Sequence, residues 1–314
     1  DDLVTVCLLA TRAPVLWAPA MNTNMWRHPA TVANLATLRA RGAEFVGPDR
    51  GELACGWIGE GRMIVPPDIV AAARARLVAR AGGTWAGRRV LVSAGPTRAY
   101  LDPVRFLTNA STGAMGFAIA AEAARRGAAT TLVAGPVELP TPPGVVRIDV
   151  ETANEMLAAM DRELGVAPHH LVAMVAAVAD VAPRSARSEK LDKRALLMAL
   201  GDRPWVEGVD VLTTLTSRHG EQSRFLGFAA QTASGDADGV RAELVAEGAA
   251  KLRKKGVQAL FVNRVGVPDT GFGSATNAGI LLRARADGIE ALDSGEPRPK
   301  AELAGWLLDR WEDA

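Results

Sequence analysis

Short apolar runs alternate with longer helix-like segments along most of this chain, and this alternation narrows the possible folds more than any other feature. The helix-like segments carry apolar residues at helical spacing, and several of them stop at a glycine, as at Gly42 and Gly127. From residue 88 onward, the apolar runs lie at 88–95, 130–135, 145–150, 171–180, 225–232, 259–263 and 278–284. Strands that alternate with helices predict an α/β fold with a mostly parallel, doubly wound sheet.

A break in this pattern divides the chain. The 314 residues are enough for two α/β domains, and the segment AGGTWAG at 81–87 has the composition of a linker. We therefore expect one domain at 1–83 and a second at 84–314. The first is predicted to be a fragment of a parallel α/β layer, too short alone to close a doubly wound sheet. Because two acids stand directly before an amphipathic run, we expect the chain to begin inside a domain.

Charge and cysteine content exclude several classes of protein. The net charge of +1 gives no broad electrostatic surface for nucleic acid or anionic membrane, and no apolar run reaches membrane-spanning length. Two cysteines do not make a disulfide framework, which suits a cytoplasmic protein. The four histidines lack metal-ligand spacing, so we assign no metal-ligating residues.

The segment PAMNTNMW at 19–26 combines two Met, two Asn and a Trp directly after an apolar run. A surface loop usually carries acids or lysines, and a buried strand rarely carries two amides, so this composition indicates a pocket. The nearby segment GELACGWIGEGRM at 51–63 has the glycines of a mobile lid. Within it Cys55 is a better candidate for reactive chemistry than Cys7, which is expected on an apolar helix face. The alternative for Cys55 is an inert thiol.

The segment NASTGAMG at 109–116 opens a helix. Small residues with exposed N–H groups at a helix N-terminus form an anion site, although an ordinary helix start has the same composition. Asn109 either donates its amide to an oxyanion or has a structural role as a helix cap or turn residue. A nicotinamide dehydrogenase is disfavoured because fifteen residues separate the strand from this turn. Its Tyr-x-x-x-Lys pair is also absent, since Val104 follows Tyr100 at the fourth position.

Further candidate residues follow strands or lie in lysine clusters. Asp180 ends an apolar strand, where an acid binds a ribose or base or caps a turn. Phe228 stands beside a glycine, where it stacks on a base or fills the core. Only six of the 36 basic residues are lysines, and five of these fall within 190–193 and 251–255. The two clusters are either phosphate contacts or solvated helix faces.

Together these motifs resemble the family of bifunctional coenzyme A biosynthesis proteins, in which a phosphopantothenoylcysteine decarboxylase is fused to a phosphopantothenate–cysteine ligase. PAMNTNMW resembles the decarboxylase motif P-x-M-N-x-x-M-W, and ACG followed by GEGRM resembles its substrate clamp. The ligase motifs follow in order as SAGPTRAYLDPVRFLTNASTGAMG, AAVAD, EKLDK, GFAAQT and KLRKK. The resemblance implies a truncated flavodoxin-like decarboxylase domain followed by a Rossmann-like doubly wound ligase domain.

For the decarboxylase, the resemblance implies FMN chemistry on a cysteinyl thiol. Asn22 would bind the carboxylate end of the substrate, Met21 and Met25 would line the pocket, and Cys55 would donate a proton in the final reduction. The family's catalytic His and most of its FMN-phosphate site correspond to sequence before Asp1. We therefore expect FMN to bind only when that part is present. We expect no decarboxylation by this chain alone.

For the ligase, the resemblance implies two steps with CTP and Mg²⁺, through an acyl-cytidylate of 4'-phosphopantothenate that cysteine then attacks. Asn109 would stabilise this intermediate, and Lys190 would lie on a loop that closes over the site. The residues that would hold the nucleotide are Ala176, Asp180, Lys190, Phe228, Lys251 and Lys255. The resemblance also implies a homo-oligomer, because ligase domains of the family form dimers and decarboxylase domains form trimers.

Several positions depart from the family pattern. Ala114 stands where the family has a Lys, and Gly208 and Val209 interrupt its N-P-D motif, which is a nucleotide-phosphate contact. Two further departures are Ala99 and Gln231, each at a position where the family has Glu. These changes leave open a second interpretation, a ligase-fold binding or oligomerisation module with weakened or lost catalysis.

Overall fold

The structure is a computed structural model that describes residues 2–11, 13–54, 56–66, 68–70, 72–73, 76, 83–202, 205–232, 237–266 and 270–312. The chain splits into two compact units, unit 1 at Asp1–Ala81 and unit 2 at Gly82–Ala314. Each unit is described by itself below. Within the described part of the chain, no helix is long and apolar enough to cross a membrane.

Unit 1 contains a short parallel strand pair and an antiparallel hairpin. Its elements are α1 (Leu3–Ala10), β1 (Leu16–Trp17), α2 (Thr23–Trp26), α3 (Pro29–Ala40), β2 (Glu44–Phe45), β3 (Asp49–Glu52) and β4 (Ile58–Arg62). β1 pairs with β2 in parallel, and β3 pairs with β4 in antiparallel. The segment predicted as a glycine-hinged lid is thus largely a β3–β4 hairpin. α1 has no buried residue and its Cys7 is exposed, so the expected apolar helix face is not covered within unit 1. Most of the helix predicted at 66–80 lies outside the described residues.

Unit 2 is built on one large sheet. The strands of unit 2, inside and outside that sheet, are β5 (Arg89–Ala94), β6 (Arg98–Tyr100), β7 (Phe106–Thr108), β8 (Ala129–Ala134), β9 (Val145–Asp149), β10 (Leu171–Met174), β11 (Val181–Pro183), β12 (Trp205–Glu207), β13 (Phe225–Gln231), β14 (Ala259–Arg264), β15 (Thr276–Asn277), β16 (Ile280–Arg285), β17 (Gly288–Asp293) and β18 (Arg298–Pro299). Its helices are α4 (Ala114–Arg125), α5 (Ala153–Val166), α6 (Lys193–Asp202), α7 (Val211–His219), α8 (Ala237–Lys255) and α9 (Lys300–Glu312).

The sheet order confirms the doubly wound prediction. The eight strands run β9-β8-β5-β10-β13-β14-β16-β17. The first six pair in parallel, and β16 and β17 are added in antiparallel. Counted along the chain, the six parallel strands have the order 3-2-1-4-5-6 of a Rossmann fold. In such sheets ligands bind at the carboxyl ends of the strands, where the order reverses between β5 and β10.

Helices cover both faces of this sheet, which explains why its strands are continuous apolar runs. On one face α4 and α9 contribute Ile119 and Leu307, which are fully buried, and Trp85 and Trp311 pack in the same cluster. On the other face α5, α7 and α8 bury an apolar cluster that includes Met156 and contacts the opposite side of the strands.

Three features differ from the sequence prediction. The strand predicted at 171–180 ends at Met174, so Asp180 lies six residues beyond the strand rather than at its end. The polar loop predicted after β5 contains the hairpin β6–β7, and a second hairpin, β11–β12, follows β10. The edge strand β17 was not predicted from its sequence, GIEALD, which has two acids among six residues.

Candidate functional site

A cavity of about 140 Å³ lies in unit 2 at the carboxyl ends of the parallel strands. Its walls come from the N-terminal turn of α4, the segment after β10, and strands β13 and β14. The residues that the discussion below uses are Ser111, Gly113, Ala176, Phe228, Asn263 and Lys300. None of the described lining residues is acidic, so the cavity has no negative charge to repel an anion.

The N-terminus of α4 forms one wall. Gly113 is the N-cap residue, with a φ of +77° and no side-chain cap. A Cβ at Gly113 would lie 3.2 Å from Val137 Cγ1 and 3.3 Å from the backbone N of Gly95, so glycine suits both the backbone conformation and the close packing here. Ser111 and residues 112–116 line the cavity. The helix therefore presents its positive end to the cavity, as the predicted anion site requires.

The segment after β10 is fixed by two buried hydroxyl groups. The N–H groups of Val175 and Ala176 donate to Ser93 Oγ at 3.1 and 3.2 Å. The N–H of Ala179 donates to Thr97 Oγ1 at 2.9 Å. Ser93 and Thr97 are both fully buried. Because Ser93 replaces a neighbouring strand as the acceptor for Val175 and Ala176, the strand ends early and the segment turns into the cavity wall.

Asn109 joins the α4 side of the cavity to this segment. Its Nδ2 donates to the carbonyl oxygens of Ala177 and Val178 at 3.1 and 3.0 Å. Since Gly113 is the N-cap, Asn109 does not cap the helix. The two carbonyl acceptors also fix which end of the amide carries the nitrogen.

Asp180 continues the same segment and leads to a second group of predicted residues. The N–H of Gly208 donates to the Asp180 carbonyl at 2.8 Å. A Cβ at Gly208 would lie 2.4 Å from the Ala179 carbonyl oxygen, so the departure from the family motif at this position matches a close backbone approach. Asp210 caps α7 through the N–H of Thr213 at 3.0 Å and forms an ion pair with Lys255.

The ion pair with Asp210 neutralises the charge of Lys255, one of the lysines that the resemblance implies as phosphate contacts. Burial alone would raise the pKa of Asp210, but hydrogen bonds from Lys255 and from the N–H of Thr213 hold that pKa below its usual value. Asp210 is thus ionised at neutral pH and holds the Lys255 ammonium. Lys251, one helical turn earlier, is exposed.

The structure brings some of the predicted residues together and leaves others apart. Ala176 and Phe228 line the cavity, and Phe228 packs on Phe261 with ring centroids 5.4 Å apart. Asn109 binds the segment that forms its wall, and Asp180 lies farther along that segment. Lys190, in the largely exposed loop 184–192, is outside the described cavity lining, as are Lys251 and Lys255.

Lys300 is a lining residue that the sequence did not reveal. It is 9% exposed, and its Nζ donates to the carbonyl oxygens of Gly271 and Ser274 at 3.3 and 2.6 Å. Burial lowers its pKa. Lys300 is the lysine outside the two clusters. That isolation is the sequence feature that sets it apart from the other five lysines. Asn263 and Asn277, both buried, line the same cavity.

Unit 1 has its own cavity of about 470 Å³, beside PAMNTNMW. Met21, Asn22, Ala54 and Met63 are among its lining residues. Asn22 Oδ1 accepts the N–H of Asn24 at 2.8 Å and so caps α2. The other predicted thioether, Met25, is 59% exposed and is not among the residues that line this cavity. Cys55 lies outside the described residues, directly after Ala54.

A glycine allows the PAMN segment to pack closely on the hairpin. Gly61 has a φ of +120°, and a Cβ there would lie 2.2 Å from the Met21 carbonyl oxygen. The N–H of Met21 donates to the Gly61 carbonyl at 2.9 Å. The hairpin therefore holds Met21 and Asn22 against the cavity. In the part of the chain that the structure describes, no group of three or more His, Cys, Asp or Glu side chains is placed to hold a metal ion.

Comparison with protein families matches both parts of the chain. Residues 85–313 match the family described as the DNA/pantothenate metabolism flavoprotein C-terminal domain, and residues 1–78 match the family described as Flavoprotein. Two solved structures are similar in fold to most of this chain. One, the C-terminal domain of the coenzyme A biosynthesis bifunctional protein CoaBC, is 30% identical with a TM-score of 0.57, over 74% of this chain and 97% of that one. The other, a Cab2 H337A mutant in complex with phosphopantothenate-cysteine, is 13% identical with a TM-score of 0.53, over 80% and 94%, and supports the fold alone.

Curated relatives agree with this result. The coenzyme A biosynthesis bifunctional protein CoaBC of Escherichia coli K12 is 41% identical over 312 residues, which cover 98% of this chain and 71% of that protein. The protein of the same name from Mycobacterium tuberculosis CDC 1551 is 40% identical over 98% of this chain and 72% of its own length. The one from Vibrio cholerae is 40% identical over 88% of this chain and 66% of its length. This chain, as its motifs predicted, belongs to the family of the coenzyme A biosynthesis bifunctional protein CoaBC.

Proposed function

We propose that residues 84–314 form a phosphopantothenate–cysteine ligase that uses CTP with Mg²⁺, and that residues 1–83 supply part of the FMN-dependent decarboxylase that acts on its product. Family membership supports both activities. The observation that carries the ligase proposal is the hydrogen bonding of Asn109 to Ala177 and Val178 beside the N-terminus of α4. An amide, a helix N-terminus and a cavity without acidic lining residues thus occur together near the carboxyl ends of the parallel strands.

The proposed reaction has two steps. The carboxylate of 4'-phosphopantothenate attacks the α-phosphate of CTP, which forms the acyl-cytidylate and releases pyrophosphate. The amine of cysteine then attacks the acyl carbon, which forms the amide bond and releases CMP. Both steps develop negative charge on oxygen, which fixed hydrogen-bond donors and cations stabilise.

Each predicted residue has a role in this scheme. Asn109 stabilises the acyl-cytidylate by exchanging one of its two carbonyl partners for a ligand oxygen. Ala176 and Phe228 form the wall against the nucleotide, and Asp180 holds the ribose. The residues that neutralise phosphate charge are Lys190, Lys251 and Lys255. For Lys255 this requires that its ion pair with Asp210 open or be shared with the phosphate.

Unit 1 is assigned the decarboxylase function. Its cavity fits a flavin in character, since Met21, Leu53 and Met63 give apolar walls. Asn22, Glu52 and Arg62 give polar and charged groups. When bound, FMN would oxidise the cysteinyl thiol of the substrate and later return the electrons. Asn22 would hold the substrate carboxylate, Met25 would complete the pocket, and Cys55 would donate a proton. We propose a homo-oligomer in the cytoplasm for the whole protein.

A ligand-binding module without turnover is the second candidate, and two observations favour it. Ala114 lines the cavity where the family has a lysine, and the ammonium of Lys255 is already paired with Asp210. The two candidates differ in pyrophosphate release, because a binding module takes up nucleotide without breaking a bond.

The deciding experiment measures pyrophosphate released with 4'-phosphopantothenate, Mg²⁺ and either CTP or ATP, with and without cysteine. The ligase proposal requires CTP-dependent release. Loss of one stabilising donor should reduce kcat about 10²- to 10³-fold in Asn109→Ala. Asn154→Ala, which removes an exposed amide on α5, should leave the rate unchanged. No release from the folded wild-type chain with either nucleotide would select the binding module.

A further inference from the structure

We propose that Asp102 is a positioning residue for Lys190, because Asp102 and Arg105 together bind both backbone polar groups of the adjacent Leu191. This inference rests on the ligase function proposed above. Asp102 Oδ2 accepts the N–H of Leu191 at 3.1 Å, and Arg105 Nη1 donates to the Leu191 carbonyl at 3.1 Å.

Asp102 is suited to this role because its side chain is fully buried and its carboxylate accepts hydrogen bonds from four N–H groups. Its Oδ1 accepts the N–H groups of Val104 and Arg105, both at 2.8 Å. Its Oδ2 accepts Arg105 Nη1 at 3.3 Å besides Leu191. Burial alone would raise the pKa of Asp102, but the N–H groups of Val104 and Leu191 hold it below its usual value, so the carboxylate is ionised at neutral pH.

The loop that carries Lys190 is bound at a second point. The N–H of Arg187 donates to the Leu101 carbonyl at 2.9 Å. Lys190 therefore lies between two attached positions, Arg187 and Leu191, that both contact the turn at 101–105. Lys190 itself is exposed. This arrangement restricts the backbone beside Lys190 while its long side chain remains able to reach a phosphate.

Asp102→Asn tests the proposal with little change in shape. The asparagine Oδ1 still accepts the N–H groups of Val104 and Arg105, so the local turn is kept. Its NH₂ group, however, now faces two donors, the Leu191 N–H and Arg105 Nη1, and both contacts are lost. Arg105→Leu is the second variant, which removes the contact to the Leu191 carbonyl and the ion pair with Asp102 but keeps the Leu191 N–H bonded to Asp102 Oδ2. Asp161→Asn is the matched control, since Asp161 pairs with Arg218 and His219 on α7.

The first measurement is limited trypsin cleavage without substrates, read by mass spectrometry after Arg187 and Lys190. Loss of a hydrogen bond to a charged group should speed cleavage at these sites about tenfold in Asp102→Asn, and less in Arg105→Leu. Asp161→Asn should cleave at the wild-type rate. Equal rates in all four proteins would overturn the proposal. Since trypsin cleavage needs no turnover, this result is independent of the ligase assignment.

The second measurement is a double-mutant cycle on kcat/KM for CTP. If Asp102 acts through Lys190, Asp102→Asn should lower kcat/KM about tenfold in the wild-type background. In a Lys190→Ala background the same substitution should leave kcat/KM unchanged. An equal loss in both backgrounds would show a general structural role and contradict the proposal. Absence of ligase turnover in the wild-type chain would refute the proposed function, and the cleavage result would then decide the loop contact alone.

Discussion

Replacement of Ser93 by alanine should destabilise unit 2, because one hydroxyl oxygen serves two backbone N–H groups. Ser93 is fully buried on β5 and accepts from Val175 and Ala176 at 3.1 and 3.2 Å. Alanine leaves both donors without this acceptor. Each unpaired N–H costs about 1–3 kcal/mol when little water can replace the partner, and these two residues are only partly buried. We therefore expect a loss of about 2–4 kcal/mol in the free energy of unfolding.

Ser223→Ala provides a matched comparison. Ser223 is also buried, at 2% exposed, but its hydroxyl accepts a single N–H, from His169 at 2.9 Å. The volume lost is the same in both variants, so that contribution cancels in the difference. Ser223→Ala should cost about half as much as Ser93→Ala, with a gap of about 1–2 kcal/mol between them.

Urea unfolding followed by tryptophan fluorescence would measure both losses, since Trp85 and Trp311 are almost completely buried in unit 2. The midpoints should shift at constant slope, because the surface exposed on unfolding is unchanged. If Ser93→Ala is no less stable than Ser223→Ala, the two hydrogen bonds do not hold the cavity wall and the reasoning fails.

Two further predictions concern packing and pH. Gly116→Ala should destabilise unit 2 by about 1–3 kcal/mol, because its Cβ would lie 2.5 Å from the Ala94 Cβ. Gly165→Ala, with open space around its Cβ, should instead stabilise α5 by about 0.5–1 kcal/mol. Equal thermal midpoints for the two variants would contradict this reasoning. Burial, together with Arg89, lowers the pKa of His169 from 6.5 to about 4, so the unfolded chain binds this proton at a higher pH than the folded chain. Stability should therefore fall as the pH drops from 6.5 toward 4, and His169→Gln should flatten that fall in urea midpoints; an unchanged slope would show that His169 does not cause it.

The sheet of unit 2 could be predicted because burial on both faces makes each parallel strand a continuous apolar run. The strand boundaries could not, since one of them depends on a side chain elsewhere: Ser93, on β5, takes the N–H groups that would have extended β10. The β6–β7 hairpin was missed for a similar reason. Its turn is held by the buried Asp102, and a buried carboxylate in a polar segment has the same appearance in sequence as an exposed one.

The site was predicted in part. The family motifs singled out Asn109, Ala176 and Phe228; the structure places Ala176 and Phe228 in the cavity lining, and Asn109 binds the segment that forms its wall. Two alternatives for the Asn109 amide, capping the helix or facing an oxyanion, both missed its bonds to Ala177 and Val178. The ion pair between Asp210 and Lys255 joins residues 45 positions apart, and neither residue type nor local spacing indicates such a contact.

The contribution of α9 to the cavity has a consequence for the order in which the chain is made. The α4 wall, from Ser111 to Gly116, is synthesised well before Asn277 and Lys300, which line the same cavity. A nascent chain therefore cannot complete this cavity until residue 300 has left the ribosome. A ligand that needs every wall can stabilise only the finished domain, so the central strands and α4 must associate without its help during translation.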